Sequence, residues 1–275
     1  MTYRKLHISV IQMVSTADYH ANIETAKKLI SEAAQAGNNF VVLPEYFCFM
    51  GLQEQDKYEY VEQHKNGKLQ TLLSALAKEY GVWIVAGTHP IASDDPARPY
   101  GRCYIYDDQG EVITWYDKIH LFDVNVADSK GSYCESAMTK AGDKVICFDT
   151  PWGMIGIAVC YDLRFPELFR QQAEAGCEVM ILPAAFTYKT GEKHWQILIQ
   201  ARAIENLCYF VASAQGGTHQ NGRQTWGHSC IVSPWGEILA ELADGEGFAQ
   251  AELDRNALIE LRRSFPVLKH RKLLE

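Results

Sequence analysis

Three polar residues in this chain occupy the same kind of place. Glu45 follows the apolar run Phe40-Val41-Val42-Leu43-Pro44, Lys118 follows a run ending near Tyr116, and Cys160 follows residues 154–159. In layered α/β proteins the ends of buried strands are where loops converge and active sites collect. A carboxylate, an ammonium and a thiol gathered there make a nucleophile with a base and an electrostatic stabiliser. Singly, each has a plainer reading, since a cysteine after a hydrophobic strand is far more often inert and a Glu or Lys there is usually solvated. The combination argues for chemistry. The segment Cys160-Tyr161-Asp162-Leu163-Arg164-Phe165-Pro166 also has the form of a strand-to-helix turn that exposes its first residue beside backbone N–H groups, as a nucleophile elbow does.

The chemistry such a set suits is hydrolysis of an unreactive acyl compound such as an amide. A thiolate attacks far better than a thiol, so Cys160 needs a base and a nearby cation. Between burial on one side and the Lys118 charge on the other, the Glu45 carboxyl is expected to take and return protons. Positive charge from Lys118 where an oxyanion grows is expected to be the largest single contribution.

Positioning these residues falls to alternating strands and helices. Residues 6–11 alternate like a half-buried strand, and residues 22–36 place Ile23, Ala26, Ile30 and Ala33 on one helical face before Gly37. Strands are expected at 40–44 and 82–87 around a helix at 68–80, then a hairpin of 103–106 and 112–116 turning at Asp107-Asp108-Gln109-Gly110. After an irregular stretch at 121–143, strands at 145–148, 154–159 and 179–182 flank a short helix opened by Pro166 and closed before Gly176. Residues 192–208 read as a helix apolar nearly all round, covered on two sides. Strands near 209–212, 228–232, 238–242 and 248–253 and a helix after Asp254 complete the chain. Val42-Leu43-Pro44-Glu45-Tyr46-Phe47 is echoed by Ile181-Leu182-Pro183-Ala184-Ala185-Phe186, which suggests two sheets built alike.

Composition narrows the class. The 275 residues are 47% hydrophobic and 22% charged, enough for a large core without disulfides or metal, and no linker or repeat divides them, so a single domain over 1–275 is expected. With 26 Lys and Arg against 34 Asp and Glu and no basic stripe, nucleic acid and anionic membranes are poor partners. The N-terminus does not read as a signal peptide, and no apolar run approaches a membrane span. Eight cysteines lack metal-ligand spacing, which points to a reduced, cytoplasmic protein with no metal or cofactor.

Leu43-Pro44-Glu45, Asp117-Lys118-Ile119-His120-Leu121 and Val159-Cys160-Tyr161-Asp162-Leu163-Arg164-Phe165-Pro166-Glu167 resemble the three signature segments of the nitrilase, or carbon-nitrogen hydrolase, superfamily, in its order. The resemblance implies an α/β fold, an α-β-β-α four-layer sandwich with two mixed β-sheets. It makes Glu45 the general base, Cys160 the nucleophile, and Lys118 the oxyanion stabiliser together with the backbone N–H of Tyr161. Cys134-Glu135-Ser136 followed by Thr139-Lys140-Ala141-Gly142 matches the loop that often brings a second carboxylate, here Glu135; so long a structureless segment is itself a hint of function. Arg164 resembles the arginine of related carbamoylases as an anchor for a substrate carboxylate, and pairing with Glu167 or Asp162 is the structural alternative. Tyr46, Phe47, Tyr161 and Phe186 are expected to line the pocket. His120, His194 and Trp195 read as packing groups, and Arg202 with Glu205 as an ion pair.

The Cys-Tyr-Asp-Leu-Arg-Phe-Pro-Glu string, Ala214 to His219, Gly227-His228-Ser229 and Pro234-Trp235-Gly236 look closest to the deaminated glutathione amidase and omega-amidase branch. That implies a small amide substrate bearing a carboxylate: deaminated glutathione, cleaved to 2-oxoglutarate and Cys-Gly, or alternatively 2-oxoglutaramate. A nitrilase-like interaction protein with incidental activity is the third reading. A two-fold homodimer is expected through the 192–208 helix and the segment 261–274.

Overall fold

The structure, a computed structural model, describes residues 5–126 and 131–273. Alternation along the first strands divides their side chains between two cores. From β1 (Leu6–Gln12), β2 (Phe40–Leu43) and β3 (Trp83–Ala86), Ile8, Val10, Phe40, Val42, Trp83 and Val85 join a core shared with a second sheet. Ile11, Val41, Leu43, Ile84 and Ala86 instead meet helices α1 (Tyr19–Gln35) and α2 (Lys68–Tyr80). Strands covered on both faces read as continuous apolar runs, as these do.

β1, β2 and β3 are parallel, and β4 (His89–Ile91), β5 (Tyr100–Tyr106) and β6 (Val112–Asp117) extend the sheet antiparallel. A small ribbon, β7 (Asp123–Asn125) with β8 (Ser132–Cys134), then leads to the second sheet. There β9 (Ile146–Thr150) is antiparallel to β10 (Gly153–Ile157), and β10 is parallel to β11 (Val179–Ala184). Helices α3 (Pro166–Glu174) and α4 (Tyr188–Asn206) cover its outer face through Leu168, Phe169, Trp195 and Ile199. β12 (Tyr209–Ala214) lies parallel to β11, the hairpin β13 (Gly216–Thr218) and β14 (Gln224–Trp226) stands off the sheet, and β15 (Ser229–Val232) and β16 (Ile238–Leu242) close it. β17 (Gly247–Leu253) returns antiparallel to β1, and Asp254 caps α5 (Arg255–Ser264) by accepting from Asn256 and Ala257 N–H.

The result is the expected α-β-β-α sandwich of two mixed sheets. The sequence echo marks a real correspondence, because β2 and β11 are each the middle of three parallel strands. Other expectations need correction. α4 starts at Tyr188 rather than 192, and Glu192, Lys193, His194 and Gln196 lie on its exposed side, so it is not apolar all round. The stretch read as irregular holds β7, β8 and a helical turn at Glu135–Ala137. Its residues 127–130, like Leu274 of the expected dimer segment, lie outside the described residues. Among those described, no helix is long and apolar enough to cross a membrane.

The two later motifs are tied together by one buried carboxylate. Asp162 is fully buried and accepts from the Tyr116 hydroxyl at 2.7 Å, His120 N–H at 3.0 Å and Val159 N–H at 2.8 Å, with His120 Nδ1 at 2.7 Å. The strand end carrying Lys118 is thus fixed to the turn carrying Cys160. Arg202 holds the same turn from α4, donating to the Leu163 carbonyl at 2.9 and 3.1 Å while pairing with Glu205 at 2.9 Å. Asp162→Ala strands buried donors and is expected to cost about 3 kcal/mol or more, with Asp162→Asn milder. Denaturant unfolding beside a turnover assay checks this, and an Asp162→Ala protein as stable as wild type would contradict it.

Candidate active site

Each expected catalytic residue leaves the end of a strand. Glu45 follows β2, Lys118 follows β6, Glu135 follows β8, and Cys160 follows β10. Two close approaches shape these loops. A Cβ on Gly87 would stand 2.0 Å from the Pro44 carbonyl oxygen, and one on Gly142 would stand 2.2 Å from that of Asp117. Gly142 N–H donates to the Lys118 carbonyl at 2.8 Å, so the glycine of the third loop backs the lysine directly. Tyr46 has φ +58°, a sharp turn that separates it from its neighbour. It leaves Tyr46 on the cavity wall and Phe47 fully buried in the core beneath α1 and α2, contrary to the expectation that Phe47 lines the pocket.

The loops bring the four residues together. Lys118 Nζ donates to Glu45 Oε1 at 2.8 Å and to Glu135 Oε1 and Oε2 at 3.0 and 2.8 Å, with both Lys118 and Glu45 almost wholly buried. Glu135 is further held by Phe122 N–H at 2.7 Å and the Tyr46 hydroxyl at 3.4 Å. Both its oxygens are occupied. Glu45 differs, because its Oε2 is buried without a hydrogen-bond partner. Of the two carboxylates, Glu45 is therefore the one with an oxygen free to receive a proton. Its loop is steadied from the other sheet, where Gln215 donates to the Glu45 carbonyl at 3.0 Å.

Cys160 has φ +50°, a left-handed conformation that is strained for a residue with a side chain, at the junction of β10 and a helical turn. The nucleophile-elbow form read from the sequence is present. Burial pushes the thiol up from its ordinary value of 9.0, and the Glu45 carboxylate adds to this more than Lys118 subtracts. For Lys118 burial works against the charge, yet Glu135 and Glu45 overcome it and hold the ammonium well above the ordinary 10.5. The resting pair is a neutral thiol beside an ammonium held between two carboxylates.

The cavity over these groups is about 240 Å³, and its walls include Tyr46, Phe122, Tyr133, Tyr161, Phe186 and Arg223. Tyr46, Tyr161 and Phe186 are where the sequence places them. Arg164 is not on this wall. Its guanidinium lies against the rings of Phe186 and Tyr161, 5.1 and 5.9 Å from their centroids, and Nη1 is 3.3 Å from His194 Nδ1, not paired with Glu167 or Asp162. Arg223, which sequence reasoning passed over, is the guanidinium that does reach the wall. His120 stacks on Phe165 with centroids 3.7 Å apart and Trp195 is fully buried, so both are packing groups. Among the described residues no cluster of three or more His, Cys, Asp or Glu could hold a metal.

A four-layer sandwich with a thiol, a spare carboxylate oxygen and a fixed ammonium at its strand ends defines an enzyme equipped for acyl transfer from nitrogen. Residues 7–263 match the family model described as carbon-nitrogen hydrolase, and the chain belongs to that family of amide-hydrolysing enzymes. It is 39% identical over 266 residues to a deaminated glutathione amidase of Synechocystis sp., covering 96% of this chain and 97% of that one. The Homo sapiens protein of the same description is 39% identical over 269 residues, covering 96% and 82%. The crystal structure of Saccharomyces cerevisiae Nit3, described as a member of branch 10 of the nitrilase superfamily, superposes with a TM-score of 0.88 at 30% identity, covering 98% and 97%. That of Caenorhabditis elegans NitFhit gives 0.89 at 35%, covering 99% of this chain and 66% of that one.

The raised thiol has a measurable consequence. Folded Cys160 keeps its proton above the pH at which the unfolded cysteine loses one, so the native state gains nothing from ionisation and loses relative stability as pH rises past about 9. The thiolate absorbance of wild type minus Cys160→Ala is expected to stay flat up to about that pH. A thiolate signal assigned to Cys160 at neutral pH would contradict the neutral resting state.

Proposed function

We propose that the protein hydrolyses deaminated glutathione, cutting the amide between its 2-oxoglutaryl group and Cys-Gly, through a thioester on Cys160. The observation that carries the mechanism is the unpartnered Oε2 of Glu45 beside a neutral, buried thiol. The substrate assignment is supported by the relatives of that description, which align over nearly their whole length. Glu45 takes the Cys160 proton as sulfur adds to the amide carbon, and the oxyanion forms against Lys118 and the Tyr161 N–H. Collapse breaks the carbon–nitrogen bond, with Glu45 giving its proton to the departing nitrogen. Glu45 then deprotonates water, which adds to the thioester; 2-oxoglutarate leaves and sulfur regains a proton. Glu135, with both oxygens occupied, fixes Lys118 rather than carrying protons. Arg164, loosely held by His194, swings past Phe186 to meet the carboxylate of the acyl group.

The whole chain, 1–275, acts as one domain in the cytoplasm, in keeping with eight unpaired cysteines. It pairs as a homodimer. On α4 Ile197 and Ile204 are 69% and 48% exposed, and Trp235 and Phe265, in edge contact at 5.5 Å, are 57% and 45% exposed beside it. Apolar groups gathered this way suit a self-complementary interface better than water.

Purified enzyme is expected to turn over deaminated glutathione well above carbamoyl amino acids and nitriles. Preference for 2-oxoglutaramate would make it an omega-amidase with the same catalytic set, and partner binding that survives Cys160→Ala without any turnover would favour an interaction role. Cys160→Ala should abolish activity with the fold intact, Glu45→Gln should block acylation, and Lys118→Ala should cost about 3 kcal/mol or more in kcat/KM. Inactivating alkylation mapped to another cysteine would refute the assignment.

A dimer through α4 predicts that Ile204→Glu yields monomer or aggregate. Sedimentation showing wild type as a fully active monomer at micromolar concentration would refute the pairing.

A further inference from the structure

A second cavity of about 400 Å³ adjoins the catalytic one, and the two share Tyr46, Glu54 and Arg223 as a common boundary. Cys160 and Lys118 are absent from its walls, which include Phe49, Met50, Lys57 and Asn221. We propose that this cavity is a leaving-group subsite in which Arg223 binds the carboxylate at the end of the departing peptide. The proposal rests on the substrate reading above and extends it to the half of the substrate that the catalytic groups do not touch.

The side of the site is set by the chemistry. Glu45 returns a proton to the departing nitrogen, so the leaving group extends on the Glu45 side of the scissile carbon. Arg223 lies over the ring of Tyr46, the residue after Glu45, 5.8 Å from its centroid, and over Tyr133 at 5.7 Å. Arg164 lies against Tyr161 and Phe186, off the cavity wall. Two guanidinium groups are therefore near the nucleophile, and deaminated glutathione carries one carboxylate on each side of the amide that is cut. Room points the same way. The catalytic cavity alone falls below the ~300–1,000 Å³ usual for small-molecule sites, and only with its neighbour does the space suit a tripeptide-sized ligand.

Arg223 is also held ready. Its Nη2 donates to the Ala185 carbonyl at 2.7 Å, its Nε is buried without a partner, and among the described residues no carboxylate forms an ion pair with it. Its backbone N–H donates to Asn221 Oδ1 at 3.0 Å and its carbonyl accepts from His219 at 2.8 Å. His219 is buried between the Ser15 carbonyl and the Thr225 hydroxyl, 2.8 and 2.7 Å away, which pins the β13–β14 hairpin to the first sheet's loops. Lys57 is the weaker candidate, since burial lowers its pKa and its ammonium already donates to Thr139. A guanidinium keeps its charge when desolvated and offers a carboxylate two parallel donors.

The test compares kcat/KM for 2-oxoglutaryl-Cys-Gly with that for the same compound bearing a C-terminal amide. Wild type is expected to favour the free carboxylate by about tenfold or more, the scale of one charge-assisted pair. Arg223→Gln should bring the ratio close to one, and Arg223→Lys should restore part of it, which a merely structural role would not do. An undiminished ratio in Arg223→Gln, or no preference in wild type that hydrolyses both compounds, overturns the subsite and leaves the substrate reading standing. Wild type that hydrolyses neither compound, yet cleaves other amides, overturns both.

Discussion

The ammonium of Lys118, closed off from water between two carboxylates, is the constraint on which the site depends. Burying any one of these charges alone costs several kcal/mol, and the three are tolerable only as a set with short, direct contacts. Burial, together with the Glu45 carboxylate of this set, raises the thiol beside it, which rests protonated as a result. In the proposed mechanism such a nucleophile is ionised on demand, its proton passing to the Glu45 oxygen that lacks a hydrogen-bond partner. Lys118 would then serve twice: its charge stabilises the resting carboxylates, and it would face the oxyanion when sulfur adds to the substrate.

Such a set can exist only if strand ends from two different sheets meet, and buried polar contacts enforce the meeting. Asp162 joins the end of β6 to the turn after β10. Gln215, at the end of β12, donates to both the Ser15 hydroxyl and the Glu45 carbonyl and accepts from Ser15 N–H. Gln12, on β1, accepts from the backbone and hydroxyl of Ser229 on β15. Apolar packing fixes how far apart the sheets lie but is nearly indifferent to small slides between them. Directional bonds across the interface are not, and they supply the registration that acyl transfer needs.

The proposed catalytic residues were legible in the sequence because their positions follow from local pattern: an apolar run ends, and within a residue or two a side chain that can do chemistry lies at the rim of the sheet. Glu45, Lys118 and Cys160 all obey this rule, and Glu135 came from its loop's resemblance. Phe47 was misplaced because nothing in the local sequence shows the positive φ of Tyr46, which sends the two neighbouring aromatic residues to different places. α4 was misjudged because its apolar residues were weighed without Glu192, Lys193, His194 and Gln196, which give the helix an exposed polar side. Arg223 escaped notice for a different reason. It lies on a hairpin well past the end of β12, and contacts distant in sequence, such as those of His219 with Ser15 and Asn221 with Gly51, bring it over the cavity. Its one local signal is a basic residue directly after the Asn221-Gly222 turn.

This difference in legibility follows from a division of labour. Bond-breaking groups sit on strand ends, where backbone hydrogen bonding and two cores leave little freedom, while the groups that meet the distant parts of a substrate come from loops. A loop arginine can be moved or lost without disturbing the Glu45-Lys118-Cys160 geometry, whereas any change in sheet registration disturbs all three at once. One catalytic arrangement can thus serve amides with different leaving groups. On the proposed reading, which amide is accepted is decided by Arg164 and Arg223, which lie against aromatic rings of the cavity wall.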